Sequence, residues 1–156
     1  MDLLASLENS GFGSWLRESP SIWAYPAVLT LHTLGLGVLV GGNAVLDLRL
    51  LGFARAIPLK PLEKLFPAMW IGFWVNALSG VALFVADATT KGTTWVFMTK
   101  LVIIVVGVLL LVALRRTVYG RGTSVALETR ASRAMAAASL VVWFLAIVTG
   151  RYMAYV

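Results

Sequence analysis

The stretch LTLHTLGLGVLVGGNAVLDLRLLG, residues 29–52, carries the single histidine of the chain inside a run apolar enough to cross a membrane. The surrounding 156 residues are 60% hydrophobic and 13% charged, with a mean hydropathy of +0.88. A soluble domain carries about 25% charged residues. Here the apolar residues gather into long runs, and about 20 of them in sequence cover the ~30 Å of hydrocarbon in a bilayer. Four runs pass that test, at about residues 22–46, 68–86, 95–114 and 134–152. The expected fold is therefore all-α: an integral membrane four-helix bundle forming a single transmembrane domain over residues 1–156.

The connections support this reading. ARAIPLKPLEKLFP joins the first two spans and contains three prolines, which do not continue a helix interior. DATTKGTT joins the second pair, and RRTVYGRGTSVALETRASR the third. Arg49, Arg55, Lys60, Lys64, Arg115, Arg116, Arg121, Arg130 and Arg133 flank the first and third connections, against Arg17, Lys91 and Arg151 on the other side. The positive-inside rule then places both termini outside. Trp15, Trp23, Trp95, Tyr152 and Tyr155 fall at the outer interface, where amphipathic rings prefer to lie. Ahead of the first span, FGSWLRES is expected to form a short interfacial helix with Phe12, Trp15 and Leu16 dipping into lipid.

The net charge of +6 and the pI near 10.2 fit contacts with anionic head groups better than nucleic-acid binding, because the basic residues crowd the span ends. There is no cysteine, which excludes disulfides, thiolate metal sites and cysteine nucleophiles. The N-terminus lacks a basic region followed by a long apolar core, so it is not read as a cleaved signal. No phosphate-binding glycine loop, paired-carboxylate site or Ser-His-Asp arrangement is placed by the sequence, which disfavours hydrolase chemistry.

Stepping 100° per residue from His32 brings Ser21, Tyr25, Gly35, Leu36, Leu39, Asn43 and Asp47 to one side of the first helix. Polar groups left unpaired in hydrocarbon cost several kcal/mol, so this stripe must face other helices or a cavity. Gly37 and Gly41 fall nearly opposite, a small-xxx-small pair expected to admit a second helix and to support a homo-oligomer. Met69, Asn76, Gly80, Leu83 and Asp87 share a face of the second helix. Thr93, Lys100 and Gly107 do so on the third, and Ser132, Ser139, Trp143 and Gly150 on the fourth. His32 and Asn76 are expected at nearly the same depth. Asp47 with Arg49, and Asp87 with Lys91, read as interfacial ion pairs, mostly structural.

Three uses of an imidazole at that depth compete. It can ligate haem through one nitrogen while the other donates to a neighbour. Copper or protons can be handled along Tyr25, His32, Asn43 and Asp47. Or His32 is structural, hydrogen-bonded to Asn76, a serine or a carbonyl.

LHTLGLGVLVGG with LDLRLLG resembles the opening helix of two related groups of small bacterial membrane proteins, the CopD-like copper-resistance proteins and the HemJ-type protoporphyrinogen oxidases. In TKLVIIVVGVLLL, Lys100 and Leu101 match a Lys-Leu that both groups place early in a corresponding helix. The resemblance covers about three of the four helices. It implies a bacterial inner-membrane four-helix bundle with periplasmic termini, His32 as ligand of haem b, and Lys100 as a second functional residue. The expected cofactor contacts are His32, Asn76, Lys100, Tyr25 and Arg151, with a quinone or redox protein as partner in membrane redox chemistry. The alternatives are a CopD-like copper- or proton-handling protein and a cofactor-free structural subunit. The chain departs from the HemJ-type pattern in lacking later histidines, and no Met-rich or His-rich outward segment supplies a copper capture site. Met69, Met98, Met135 and Met153 are scattered in depth, so none is level with His32 and haem would be five-coordinate, water-capped or shared between two subunits.

Overall fold

The computed structural model describes residues 2–120, 129–153 and 155. Eight helices and no strand occur among them: α1 (Asp2–Glu8), α2 (Gly11–Glu18), α3 (Tyr25–Leu51), α4 (Leu59–Leu62), α5 (Leu65–Ala86), α6 (Ala88–Thr93), α7 (Trp95–Tyr119) and α8 (Arg130–Tyr152). Four are long and apolar enough to cross a membrane, counting α4 and α5 as one span. The chain is an all-α, multi-pass membrane protein. Arg121, and with it residues 121–128 of the third connection, lies outside the described residues.

The spans run further than hydropathy suggests because helices end at caps rather than at the hydrocarbon boundary. Pro26 sets the start of α3 at Tyr25, not at residue 22, which leaves Ser21 ahead of the helix with its hydroxyl accepting from the Trp23 amide. The far end of α3 runs on to Gly52, whose φ of 105° supplies the left-handed cap that glycine adopts without strain. α8 begins with a capping box: Thr129 accepts from the Ser132 amide at 3.0 Å, and Ser132 Oγ from the Thr129 amide at 2.9 Å.

Packing follows the order α5, α3, α8, α7, with α3 against α5 as the most extensive contact. Leu39, Leu46 and Leu50 of α3 meet Phe66 and Met69 of α5, Leu111, Leu114 and Val118 of α7, and Ala136, Trp143 and Ala146 of α8. Opposite faces expose Leu34, Val38, Ile71, Leu78, Val102, Leu109, Val141 and Phe144, an apolar exterior suited to acyl chains. In lipid no hydrophobic force draws helices together, so close van der Waals fit has to do so. The fit between α3 and α5 is made by Gly35 and Gly72. A Cβ on Gly35 would lie 2.7 Å from the Gly72 carbonyl oxygen, and one on Gly72 would lie 2.8 Å from the Gly35 oxygen. Gly37 and Gly41, expected to be the close-packing pair, meet nothing within 4 Å in this chain.

The N-terminal segment forms two helices where one was expected. α2 lies against the end of α5, and Leu16, expected in lipid, is fully buried with Ala24 and Ala86. Phe12 and Trp15 do stay exposed, their ring centroids 6.2 Å apart. Trp23, Trp95, Tyr152 and Tyr155 are exposed as well, all near the end of the bundle that carries the termini. Glu8 fastens this cap: it accepts from the Thr89 amide at 2.7 Å, from the Thr89 hydroxyl at 2.5 Å and from Arg17 at 3.2 Å. Arg17 also reaches the Ala86 carbonyl.

Gly35→Ala or Gly72→Ala is expected to cost about 1–3 kcal/mol, as overpacking does, read as a lower unfolding midpoint in detergent, whereas Gly37→Ala leaves the isolated chain unchanged. The Thr89 hydroxyl and amide, with Arg17 beside them, hold the Glu8 carboxyl below its ordinary value. Its stabilisation is therefore complete above the ordinary carboxylate range and disappears as pH falls through the lowered value. Glu8→Gln should lower the melting midpoint at pH 7 and remove that acid-dependent component, as thermal scans against pH would show.

Candidate functional site

Antiparallel pairing of α3 and α5 fixes which side chains meet. With Gly35 set between Gly72 and Asn76, one turn back on α3 is His32 and one turn on along α5 is Gly80. The expectation that His32 and Asn76 are level is met directly: Asn76 Nδ2 donates to the His32 carbonyl at 2.8 Å. His32 Nδ1 lies 2.9 Å from the Asn76 carbonyl oxygen and 3.2 Å from Ser79 Oγ. Ser79 spends its own proton on the Val75 carbonyl at 2.6 Å, which leaves its oxygen free to accept. Asn76 Nδ2, the nearest donor to Nδ1, stands further off at 3.3 Å and donates to the His32 carbonyl, whereas the closer Asn76 backbone carbonyl can only accept. Two acceptors around Nδ1 assign the proton to that nitrogen, where it donates. Nε2 keeps its lone pair.

Gly80 makes room for the ring. A Cβ there would approach His32 Cε1 to 3.0 Å. Lys100 comes from α7 and lies close enough to act electrostatically on His32, while its Nζ sits 3.5 Å from the position a Cβ on Gly150 of α8 would take. All four long helices thus contribute to one level: His32, then Asn76, Ser79 and Gly80, then Lys100, then Gly150. Among the described residues Lys100 has no hydrogen-bond or ion-pair partner. Tyr25 and Arg151, also expected here, lie outside the cluster and are exposed; the Arg151 guanidinium stands over the Tyr155 ring at 5.8 Å. Ser79 was not anticipated, although its place three residues after Asn76 puts it on the same helical face.

A second polar level lies 11 residues further along α3, about 16 Å at the helical rise. Asn43 Nδ2 donates to Asp47 Oδ2 at 2.6 Å and to Ser139 Oγ of α8 at 2.7 Å. Asn43 and Asp47 are both 0% exposed, and the other side-chain oxygen of each is buried with no partner, as is Trp143 Nε1. Sequence reading set Asp47 and Arg49 at the interface as an ion pair. In the structure Asp47 is bonded to Asn43 and Arg49 is 8% exposed, with its Nε donating to the Ile57 carbonyl. The expected Asp47–Arg49 pair does not form: α3 does not end at residue 46 but runs on to Leu51, and both side chains are buried in the bundle. Asp87 and Lys91 do pair, at 3.5 Å, and Lys91 also donates to the Met153 carbonyl.

The cluster can hold a ligand by one neutral imidazole nitrogen and one ammonium. Its donor chemistry fits a b-type haem: an anchored histidine with a free Nε2, a cation at hand for a propionate, and glycines at positions 80 and 150 beside them. Neither Met69 nor Met98 completes the set. Met98 is exposed, and Met69 is packed against Gly42, far along α3 from His32. Among the described residues no three His, Cys, Asp or Glu side chains gather as a metal site.

Asn43→Ala removes the donor shared by Asp47 and Ser139 and is expected to cost about 1–3 kcal/mol, the penalty of a buried polar group left unsatisfied. The double change Asn43→Leu with Asp47→Leu should cost less than the single one, as denaturation in detergent would measure. Compared with family models, with curated proteins and with solved structures, the chain matches none.

Proposed function

We propose that this is a small membrane redox protein that binds haem b through His32 Nε2, acting as an electron carrier or as a quinone-linked oxidoreductase. One observation carries the reading: Nδ1 is anchored by the Asn76 carbonyl and Ser79, so the imidazole presents its other nitrogen in a fixed orientation with the lone pair available. His32 is only partly buried, and its Nε2, which takes no partner within the bundle, is accessible rather than sealed in the core. Bound haem would supply one-electron transfer. Asn76 and Ser79 hold the imidazole tautomer, Gly80 leaves space for the ring, and Lys100 offers its unpaired charge to a propionate or to a quinone oxygen. The resemblance of the first and third helices to HemJ-type proteins points the same way. With one imidazole per chain, any further ligand that a bound haem took would come from water, from substrate or from a second subunit. The bacterial inner membrane, with both termini periplasmic and the arginine-rich end inside, is the setting this reading takes.

A second reading, CopD-like handling of protons or copper, is favoured by the partnerless oxygens of Asn43 and Asp47. One absorbance spectrum separates the two. Protein purified after expression with ample haem should show a Soret band that shifts on reduction, and His32→Ala should lose the band while keeping its helical circular dichroism. Colourless wild-type protein overturns the haem proposal, and copper retained without haem supports the second reading.

A further inference from the structure

On the fourth side of the bundle the backbones of α5 and α7 come into little contact. Their side chains meet at the two ends. Phe84 and Phe97 stack with centroids 4.9 Å apart near the terminal end, and Phe66 meets Tyr119 edge-on at 5.7 Å near the arginine-rich end. Beside the second closure lies a half-open crevice of about 440 Å³, walled by Phe66, Trp70, Leu111 and Val112, with Arg115 and Arg116 on its rim. We infer that this crevice is a binding site for one anionic phospholipid, its phosphate held by Arg115 and Arg116 and an acyl chain laid along Trp70, Leu111 and Val112. The inference is independent of the haem reading, since no residue of the His32 cluster lines the crevice.

Depth and charge choose the occupant. Arg115 and Arg116 lie three to four residues before the end of α7, about 5–6 Å along the helix, which is head-group level. Leu111 and Val112 stand one turn deeper, and on α5 Trp70 stands one turn deeper than Phe66, so the walls pass from polar to apolar in the direction of an acyl chain. The Arg115 guanidinium lies over the Phe66 ring, 5.4 Å from its centroid. Among the described residues the Arg115 side chain has no hydrogen bond or ion pair, so its N–H groups are left for phosphate oxygens. The Arg116 side chain has no hydrogen bond or ion pair among the described residues. Glu63, also on the rim, puts one negative charge against two positive ones and would repel a second anion. A zwitterionic lipid would satisfy the apolar walls equally well but would bring no net charge to the arginines.

The test is thermal unfolding of the full chain in nanodiscs of phosphatidylcholine alone or with one part in four phosphatidylglycerol, paired with mass spectrometry of lipid kept through purification. The wild type is expected to melt several degrees higher with phosphatidylglycerol and to retain about one such lipid per chain. Arg115→Gln with Arg116→Gln should lose both effects. Val112→Trp, which fills the crevice and keeps the arginines, should lose the retained lipid; this variant decides the matter if the double glutamine protein does not fold. Equal melting in the two bilayers, retention undiminished in Val112→Trp, or equal stabilisation by inorganic phosphate in detergent would each overturn the proposal, the last by showing an anion site with no part for the acyl chain.

Discussion

Everything else in the bundle is set by the approach of two backbones at Gly35 and Gly72. With hydrogen side chains at both positions, α3 and α5 come near enough for a carbonyl oxygen of each to lie under 3 Å from where the other's Cβ would be. Hydrocarbon supplies no force to bring the helices together, so this fit, with its dispersion contacts, takes the place that hydrophobic burial has in water. It also fixes the register. Gly42 falls against Met69, His32 against Gly80, and the Asn76 amide reaches the His32 carbonyl. A slip of one turn, about 5.4 Å, would leave the imidazole nitrogen without its acceptors in a medium that offers none.

The polar stripe of α3 divides into two separate stations. Between His32 and Asn43 the inward positions are taken by Gly35, Leu36 and Leu39, and Leu39 is buried in the apolar core. No side chain on that face hands a proton from one level to the other. The two stations also differ in kind. At His32 the spare valence is the Nε2 lone pair and the Asn76 Oδ1 oxygen, to which no donor among the described residues is bonded, together with the Lys100 charge. At the Asn43 level two acceptor oxygens, Asn43 Oδ1 and Asp47 Oδ1, and one donor, Trp143 Nε1, are buried without partners. The first arrangement suits a ligand that accepts a lone pair. The second suits a small donor, such as a water or a proton, and it lies where it also ties α3 to α8.

The number of membrane spans, the faces turned inward and the level of His32 with Asn76 were legible in the sequence, because a 100° step and a 1.5 Å rise are properties of one helix considered alone. Asn76, Lys100, Ser139, Trp143 and Gly150 all lie on the sides assigned to them. What a single helix does not contain is the identity and register of its neighbour. Thus Gly37 and Gly41 looked like the packing pair by spacing, while the pair in contact, Gly35 and Gly72, sits on two different helices and has no shared motif. Asp47 and Arg49 were read as a pair because they lie two apart at the end of the apolar run, whereas the helix runs on to the cap at Gly52 and each side chain finds another partner. Leu16 was assigned to lipid because the burial it finds depends on Ala24 and Ala86, and the latter is 70 residues away. Tyr25 shares the angle of His32 but stands two turns nearer the end, where the same direction leads out of the bundle.

The open seam between α5 and α7 follows from the same asymmetry. The side-chain hydrogen bonds described between the long helices join α3 to α5 and α3 to α8, while α7 is held by apolar packing on α8, by Arg115 over the Phe66 ring and by the Tyr119 hydroxyl, which donates to the Leu59 carbonyl at 2.8 Å. Gly107 accommodates the Trp143 ring at about 3.0 Å from its would-be Cβ, which draws α7 toward α8 and away from α5. Aromatic contacts at the two ends then keep the seam from widening, and an apolar wall between them faces the bilayer. Any molecule that enters the bundle from this side must come through lipid rather than water, so it must be amphiphilic. A lipid resting against Phe66 and Trp70 would therefore do more than occupy space: by filling the gap it would restore to α5 and α7 the van der Waals contact that their own side chains do not make.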